Sequence, residues 1–364
     1  MKYVDEYRQK DIAQGILASI RALSTKRAAI MEICGSHTHS ISKYGIRDVL
    51  PQTIRLISGP GCPVCVTSAG DLNRIIDFIR RERNIITATF GDMMRVPGSA
   101  SSLQEEKARG SDVRVVYSPM DTLALAATHP GKEVLFIAVG FETTAPTVAA
   151  TMIMARDRGI KNLSFLSLHK LTPPAMRALL DSGEVELNGF LCPGHVTAVI
   201  GAGAYRFIAD DYHAPCIIAG FEPLDVLQGI HMLAAQIEAG RAAIEIQYTR
   251  VVTEEGNRKA QEVVQQVFGT ADASWRGIGM IPSSGLKIRE SFGAFDAEQR
   301  FALGAGSDEE PPGCSCGDII KGVMSPYECP LFGSSCLPES PQGPCMVSSE
   351  GTCSAYYKYG RNKQ

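Results

Sequence analysis

Along roughly the first 250 residues, short unbroken apolar runs alternate with longer stretches whose apolar positions recur every three or four residues. Nine runs read as strands: 28–33, 54–58, 85–90, 113–117, 134–139, 163–168, 189–192, 216–219 and 244–249. They are mostly continuous Val, Ile, Leu and Phe without in-and-out alternation, the pattern of parallel strands covered on both faces. Helical spacing falls between them, at 12–23, 72–81, 122–128, 146–156, 174–180, 224–239 and 257–267. This alternation predicts an α/β protein with two doubly wound parallel-sheet domains. The expected boundaries are 1–125 and 126–250. After Thr270 the apolar runs shrink and Gly, Pro and Ser rise. Residues 251–364 are therefore expected to form a small C-terminal module. Its core is too thin to stand alone, and a metal centre would help hold it.

Strand ends are the natural place to look for chemistry in such a fold, because sites form beyond the carboxyl ends of parallel strands. Residues expected there are Asp92, Glu142, Thr143, Thr144, His169, Cys192, His195 and Glu222. Gly140-Phe141-Glu142 and Gly220-Phe221-Glu222 echo each other 80 residues apart. Several such groups from separate strands predict one polar cleft. Cys216, inside an apolar run, reads as core.

Composition narrows the function classes. The chain has 364 residues and a net charge of −3, with one Trp and 7% aromatics. Neither a nucleic-acid surface nor a membrane surface is indicated. The first ten residues are charged and lack an apolar stretch, and no apolar run is long enough to span a bilayer. A soluble, cytoplasmic protein is expected. In a reducing compartment the clustered ones among its 11 cysteines read as metal ligands or redox groups.

Nine of those cysteines fall into three groups. Six lie in the tail: Cys314, Cys316, Cys329, Cys336, Cys345 and Cys353, with no His among them. Their irregular all-thiol spacing suits an iron–sulfur cluster better than the paired knuckles of structural zinc. The second group is Cys34-Gly-Ser-His37-Thr-His39, where a thiol and two imidazoles within six residues suit a soft metal. The third is Ser58-Gly-Pro-Gly-Cys62-Pro-Val-Cys65, a Gly/Pro loop between a strand and a helix. A Cys-x-x-Cys at a helix start favours thiolate and fits a dithiol switch or half of a metal site. Phosphate-binding and dinucleotide-binding glycine loops are absent, as is a Gly-x-Ser-x-Gly elbow.

Taken together, Cys34-Gly-Ser-His-Thr-His39, Gly59-Pro-Gly-Cys-Pro-Val-Cys-Val-Thr67, Gly140-Phe-Glu-Thr-Thr-Ala-Pro146, Pro193-Gly-His-Val196 and Cys345-Met-Val-Ser-Ser-Glu-Gly-Thr-Cys353 resemble the HypD family of hydrogenase maturation factors. The likeness runs over nearly the whole chain. It implies a 4Fe–4S cluster, pairing with the small chaperone HypC, and a scaffold role in assembling the Fe(CN)2CO unit of NiFe hydrogenases. HypE would deliver the cyanide. By the same likeness Cys34 would anchor the transient iron with its CN and CO ligands, His37 and His39 would shape that site, and Cys62 and Cys65 would be a redox dithiol. Asp92, Glu142, His195 and Glu222 would move protons or orient diatomic ligands.

The tail also resembles the cluster arrangement of ferredoxin:thioredoxin reductase. Carried over, Cys314, Cys329, Cys336 and Cys353 would be ligands and Cys316 with Cys345 a redox pair. In the alternative, Cys316 is the ligand and Cys314 is free. Two other functional classes remain open from the residues: a stand-alone thiol–disulfide oxidoreductase fed by a cluster, and a zinc-stabilised binding module. Whether the chain catalyses a step or only holds and reduces iron is likewise open.

Overall fold

In the computed structural model, which describes residues 5–310 and 312–360, all nine expected strands form. β1 (Ala28–Glu32) and β2 (Ile54–Ser58) run parallel, with Glu32 opposite Ser58. β3 (Ile85–Thr89), β4 (Val113–Val115), β5 (Glu133–Ala138) and β6 (Leu163–Ser167) make one four-stranded sheet in the order β4-β3-β5-β6. β7 (Gly189–Pro193), β8 (Cys216–Ala219) and β9 (Ile244–Ile246) then return to β1, giving a five-stranded sheet ordered β2-β1-β7-β8-β9. Every pairing in both sheets is parallel.

The fold is thus α/β, with two parallel sheets. Strand membership, however, departs from the expected division at residue 125. The chain leaves the first sheet after β2, builds the whole second sheet, and comes back for β7 to β9. An apolar run announces burial but does not name its neighbour. Pairing is decided where side chains from distant segments fill a common layer. On one face of the five-stranded sheet Ile30, Leu56, Leu191 and Ile217 pack under the helices Lys10–Leu23 and Pro223–Glu238. On the other, Met31, Ile57, Phe190 and Ile218 form a second core. Successive residues of a strand point to opposite faces, so unbroken apolar runs serve both layers.

Two strands were not anticipated. β10 (Phe268–Trp275) and β11 (Gly279–Ile288) form an antiparallel hairpin. Their sequence is rich in Gly, Ala and Ser, and a register shift between Ala271 and Ala273 breaks the two-residue period. Phe268, Leu286 and Ile288 join Phe292 and Phe295 in the core of the four-stranded sheet. By packing, this part of the expected C-terminal module belongs with that sheet. The cysteine tail itself has only short helices, Cys316–Lys321 and Thr352–Tyr359, and 3-10 turns. Five of its six thiols are buried. They pack in one cluster with Val64, Cys65, Val66 and Leu72. Among the described residues, no helix is long and apolar enough to cross a membrane.

Candidate functional site

The carboxyl ends of β1 and β2 lie side by side and release the two cysteine loops. Glu32, with its side chain 0% exposed, accepts a hydrogen bond from Ser58 Oγ at 2.6 Å and is ion-paired with Arg47. Arg47 also donates to Ser58 Oγ at 2.9 Å and lies 4.8 Å from the Tyr356 ring centre. One buried carboxylate therefore ties both loop bases, through Arg47, to the last helix of the tail. Burial pushes the Glu32 pKa up, opposed by Arg47 and Ser58.

The loops touch through glycines. Gly35 N–H donates to Gly61 O at 2.9 Å. A Cβ on Gly35 would stand 2.4 Å from Glu350 Cβ. Cys34 stands at the N-cap position of the helix Gly35–Lys43 without a side-chain capping bond, whereas Cys62 caps Pro63–Val66, its Sγ accepting the Cys65 N–H at 3.2 Å. Cys62 and Cys65 are joined as a disulfide, Cα–Cα 5.2 Å, and are 4% and 2% exposed.

Burial pushes the Cys34 thiol up to about 12; the Glu350 charge adds to this, while N–H groups of His37 and Ser36 oppose it. The metal-free thiol is accordingly neutral, and a bound metal ion would have to displace its proton. Glu350 also accepts from Ser36 Oγ at 2.6 Å.

The two histidines of the loop differ. His37 is fully buried and lies 2.9 Å from Gly220 O through Nε2. A carbonyl can only accept, so Nε2 carries the proton. Nδ1 keeps its lone pair and has no hydrogen-bond partner. Burial lowers the His37 pKa to about 4, so the ring is neutral. By the same reasoning His39 Nδ1 donates to Ser349 O at 3.2 Å, and its Nε2 accepts from Tyr359 at 3.4 Å. Both His39 nitrogens are used in clamping the tail, whereas His37 has one to offer.

Phe221 is stacked on His37 (4.7 Å), and its ring also meets His195, tilted, at 4.0 Å. Burial lowers the His195 pKa. A 350 Å³ cavity beside the loop is lined by Ser36, His39, Lys43, His195, Glu222 and Glu350 among others.

The anticipated single cleft of strand-end acids does not form. Glu222 lines this cavity, but it caps the helix Pro223–Glu238 together with Asp225 and pairs with Arg8 at 2.5 Å. Glu142 is 5% exposed and accepts from Thr172 N–H at 2.7 Å and Thr172 Oγ1 at 2.9 Å, capping the helix Thr172–Ser182. Burial raises its pKa to about 7. Asp92 lines a different cavity, with Arg95, Val347 and Lys358. His169, also buried, lines a third with Lys170. A strand end guarantees proximity to the sheet edge, but the next helix often needs the same polar group as its cap.

In the tail, Cys345 and Cys353 Sγ atoms are 3.4 Å apart. Burial pushes the Cys316 thiol well up; Cys314 lowers it and Cys345 raises it further. Gly343 leaves room for this group, since a Cβ there would stand 2.5 Å from Cys314 Sγ. Burial raises the Cys329 pKa, but backbone N–H groups of Ser315, Leu331 and Phe332 outweigh it and bring it below the ordinary value. Cys336, raised by burial, accepts the Gln342 N–H at 3.3 Å. Such N–H donors suit anionic sulfur. The donor set, all thiol with amide support, fits an iron–sulfur cluster. Among the described residues no three Cys, His, Asp or Glu converge on a single metal ion. A cube makes no such demand, because each thiolate binds its own iron. The loop disulfide reaches this tail: Cys65 Sγ lies 3.7 Å from the carbonyl oxygen of Pro344, the residue before Cys345.

Sequence reasoning identified all nine of these cysteines. It missed Glu32, Arg47, Tyr356 and Glu350. Of these Glu32 left a trace, as a carboxylate ending an apolar strand, and Glu350 another, inside the Cys345–Cys353 motif.

Fold and site define a thiol-rich α/β protein in which two cysteine loops and a cysteine tail meet at one edge of a parallel sheet. Comparison with known proteins agrees. The HypD family model, described as "Hydrogenase formation hypA family", matches residues 11–360. The hydrogenase maturation factor HypD2 of Bradyrhizobium diazoefficiens is 47% identical, covering 99% of this chain and 97% of its own. The factors HypD of Azotobacter vinelandii and of Escherichia coli are 48% and 44% identical, covering 100% and 99% of this chain and 98% of their own. The chain belongs to the HypD family of hydrogenase maturation factors.

Proposed function

We propose that this chain is the cytoplasmic thiol scaffold on which, with a HypC-type chaperone, the Fe(CN)2CO unit of a NiFe hydrogenase is assembled, with cyanide accepted from a HypE-type donor. The observation that carries the reading is the meeting of Cys34 with both other thiol groups. Its backbone touches Gly61 of the disulfide loop, and its thiol feels Glu350 of the tail. Iron is cargo here. Cys34 supplies a thiolate once its proton is displaced, and His37 Nδ1 supplies a nearby lone pair. The chaperone would supply a further ligand. His195 and Glu222, in the adjoining cavity, face the space from which small ligands would arrive.

The tail thiols are read as the electron source. A 4Fe–4S cluster held by Cys314, Cys329, Cys336 and Cys353 would supply single electrons. Cys316 and Cys345 would form the adjoining dithiol: both are 2% exposed, and each shifts the other's pKa. A thiolate of that pair attacks the Cys62–Cys65 disulfide, and its partner then resolves the mixed disulfide. Two electrons move to the loop, the loop becomes a dithiol and the tail pair a disulfide. The assignment of Cys314 as ligand and Cys316 as relay rests on burial: Cys316 is 2% exposed, whereas Cys314 is only partly buried.

Cys34→Ala protein, purified with its chaperone, is expected to lose the infrared bands of metal-bound CN and CO while keeping the brown colour of a cluster. Bands that survive would remove Cys34 as the anchor. The stand-alone oxidoreductase reading has the disulfide in its favour. Yet Cys62 and Cys65, at 4% and 2% exposure, offer little surface to an external disulfide substrate. Iron content separates the two, about four atoms per chain for a cluster alone and about five with cargo.

A further inference from the structure

We propose that Arg276 is a positioning residue that couples the Cys62–Cys65 disulfide to the cysteine tail. The inference rests on the relay reading above for its purpose, and on its own contacts for its geometry.

Arg276 follows Trp275 at the turn of the β10–β11 hairpin, far in sequence from both thiol groups. Its side chain is 0% exposed. Trp275 bridges Thr67, the residue that ends the Cys62–Cys65 helix. The Arg276 N–H donates to Val66 O at 2.9 Å, and its Nε donates to Thr67 O at 2.9 Å. Both carbonyls at the end of that helix are thus held by one residue. On its other side the guanidinium is ion-paired through Nη1 with Glu310, four residues before Cys314. The next residue, Gly277, is packed on Gly317: a Cβ at 277, where φ is +76°, would stand 2.3 Å from Gly317 Cα. Gly317 is the second residue of the helix that Cys316 begins. The Arg276–Gly277 turn therefore touches the disulfide helix, the segment leading to Cys314 and the helix of Cys316.

Packing alone does not account for an arginine here. Burying a guanidinium is costly, and an apolar side chain of similar volume often serves stability as well or better. Nη2 is buried without a partner, a further cost. What arginine adds is a planar fork that can hold two acceptors on different segments at once, which lysine cannot reproduce. Reducing Cys62–Cys65 breaks the S–S bond and frees the short helix to relax. Its end carbonyls move, and the fork carries that movement to Glu310 and the Cys316 helix. Arg276 itself exchanges neither proton nor electron. The two electrons and two protons that reduce the loop come from the Cys316/Cys345 dithiol.

The test uses the full cluster-loaded chain under anaerobic conditions. Hydrogen exchange of amides 314–322 is compared with the loop disulfide intact and with it reduced by dithiothreitol, in a Cys316→Ser/Cys345→Ser background whose tail cannot itself reduce the loop. In this parent background, reduction is expected to speed exchange of the segment at least tenfold. In Arg276→Met the response is expected to vanish. In Glu310→Gln, a change at a half-exposed carboxylate that keeps the Thr67 bond, it is expected to fall without vanishing. A parent-like response in both variants, or no response in the parent, overturns the proposal. A separate arm, with both tail cysteines present, follows transfer of the disulfide from Cys62–Cys65 to Cys316–Cys345 by acid quench and alkylation. Arg276→Met is expected to slow it at least tenfold, while dithiothreitol still reduces the loop within twofold of the parent rate. If the parent shows the exchange response but no transfer, the relay reading fails and the coupling by Arg276 stands.

Discussion

The backbone of Gly61 lies directly against that of Cys34: a Cβ at position 61 would stand 2.4 Å from both the Cα and the N of Cys34. The Cys34 turn and the disulfide loop are thereby held closer than any residue but glycine permits. Gly61→Ala must push the two loops apart. Overpacking of this kind costs about 1–3 kcal/mol. The expected outcome is a lower urea midpoint and, on the scaffold reading proposed above, loss of the fifth iron while the brown colour is kept. An unchanged iron content would show that the contact is incidental to cargo binding.

The Cys34 thiol should be unreactive in the metal-free protein. Burial, aided by Glu350, raises its pKa to about 12, so at pH 8 to 9 it stays protonated where an ordinary thiol reacts. Its alkylation rate should climb about tenfold per pH unit up to that value. The sign for stability follows from the raised folded value. The contribution is fully present below the unfolded thiol pKa and is lost as pH rises from about 9 towards 12. Mass spectrometry of iodoacetamide-treated protein across this range checks the point. Rapid labelling at pH 8 would contradict it.

Glu142 gives a second pH dependence, in a different window. Burial raises its pKa to about 7, against the Thr172 N–H and hydroxyl. Its stabilising contribution is complete below about pH 4.5 and is lost as pH climbs to about 7. Glu142→Gln keeps the cap neutral. It should therefore gain on the parent protein as pH rises from 5 to 8, by up to about 3 kcal/mol. Paired denaturation curves at pH 5 and pH 8 measure the difference. A constant offset would mean that the carboxylate is ionised throughout.

Glu32 should be the most destabilising acid to remove from the site. Glu32→Ala leaves Arg47 without its buried partner and Ser58 without its acceptor. Breaking a buried pair costs about 3–5 kcal/mol, and the lower end is expected because the Arg47 side chain is 20% exposed. Because Arg47 also stacks on Tyr356, the tail helix Thr352–Tyr359 should exchange its amides faster in this variant. A full loss of stability with an undisturbed tail would confine the network to the sheet.

Much of this was open to reading from the chain. Ile54 to Ser58 is an apolar run in any fold, and it forms β2 as expected. Cys34, Cys62 and Cys65 stand at strand-to-helix turns because Gly and Pro around them permit little else. What misled was the assumption that polar strand-end residues share a purpose. Glu142 and Glu222 occupy equivalent places after Gly-Phe, yet both serve as helix caps, and only Glu222 borders the cavity near Cys34. His37 and His39 look alike in sequence. The structure separates them by which nitrogen is already spent.

The sequence by itself determined the secondary structure of both sheets, the three cysteine groups and the family, because these depend on local periodicity, turn chemistry and the order of residues. The tertiary structure decided which strands share a sheet, and so why residues 28–58 join residues 189–246 around the stretch between them. It also decided that Glu32, Arg47 and Tyr356 form one network, and that Arg276 reaches both thiol systems. Such contacts join segments up to about 300 residues apart. They depend on which surfaces are left complementary once the sheets have packed, and no local pattern encodes that.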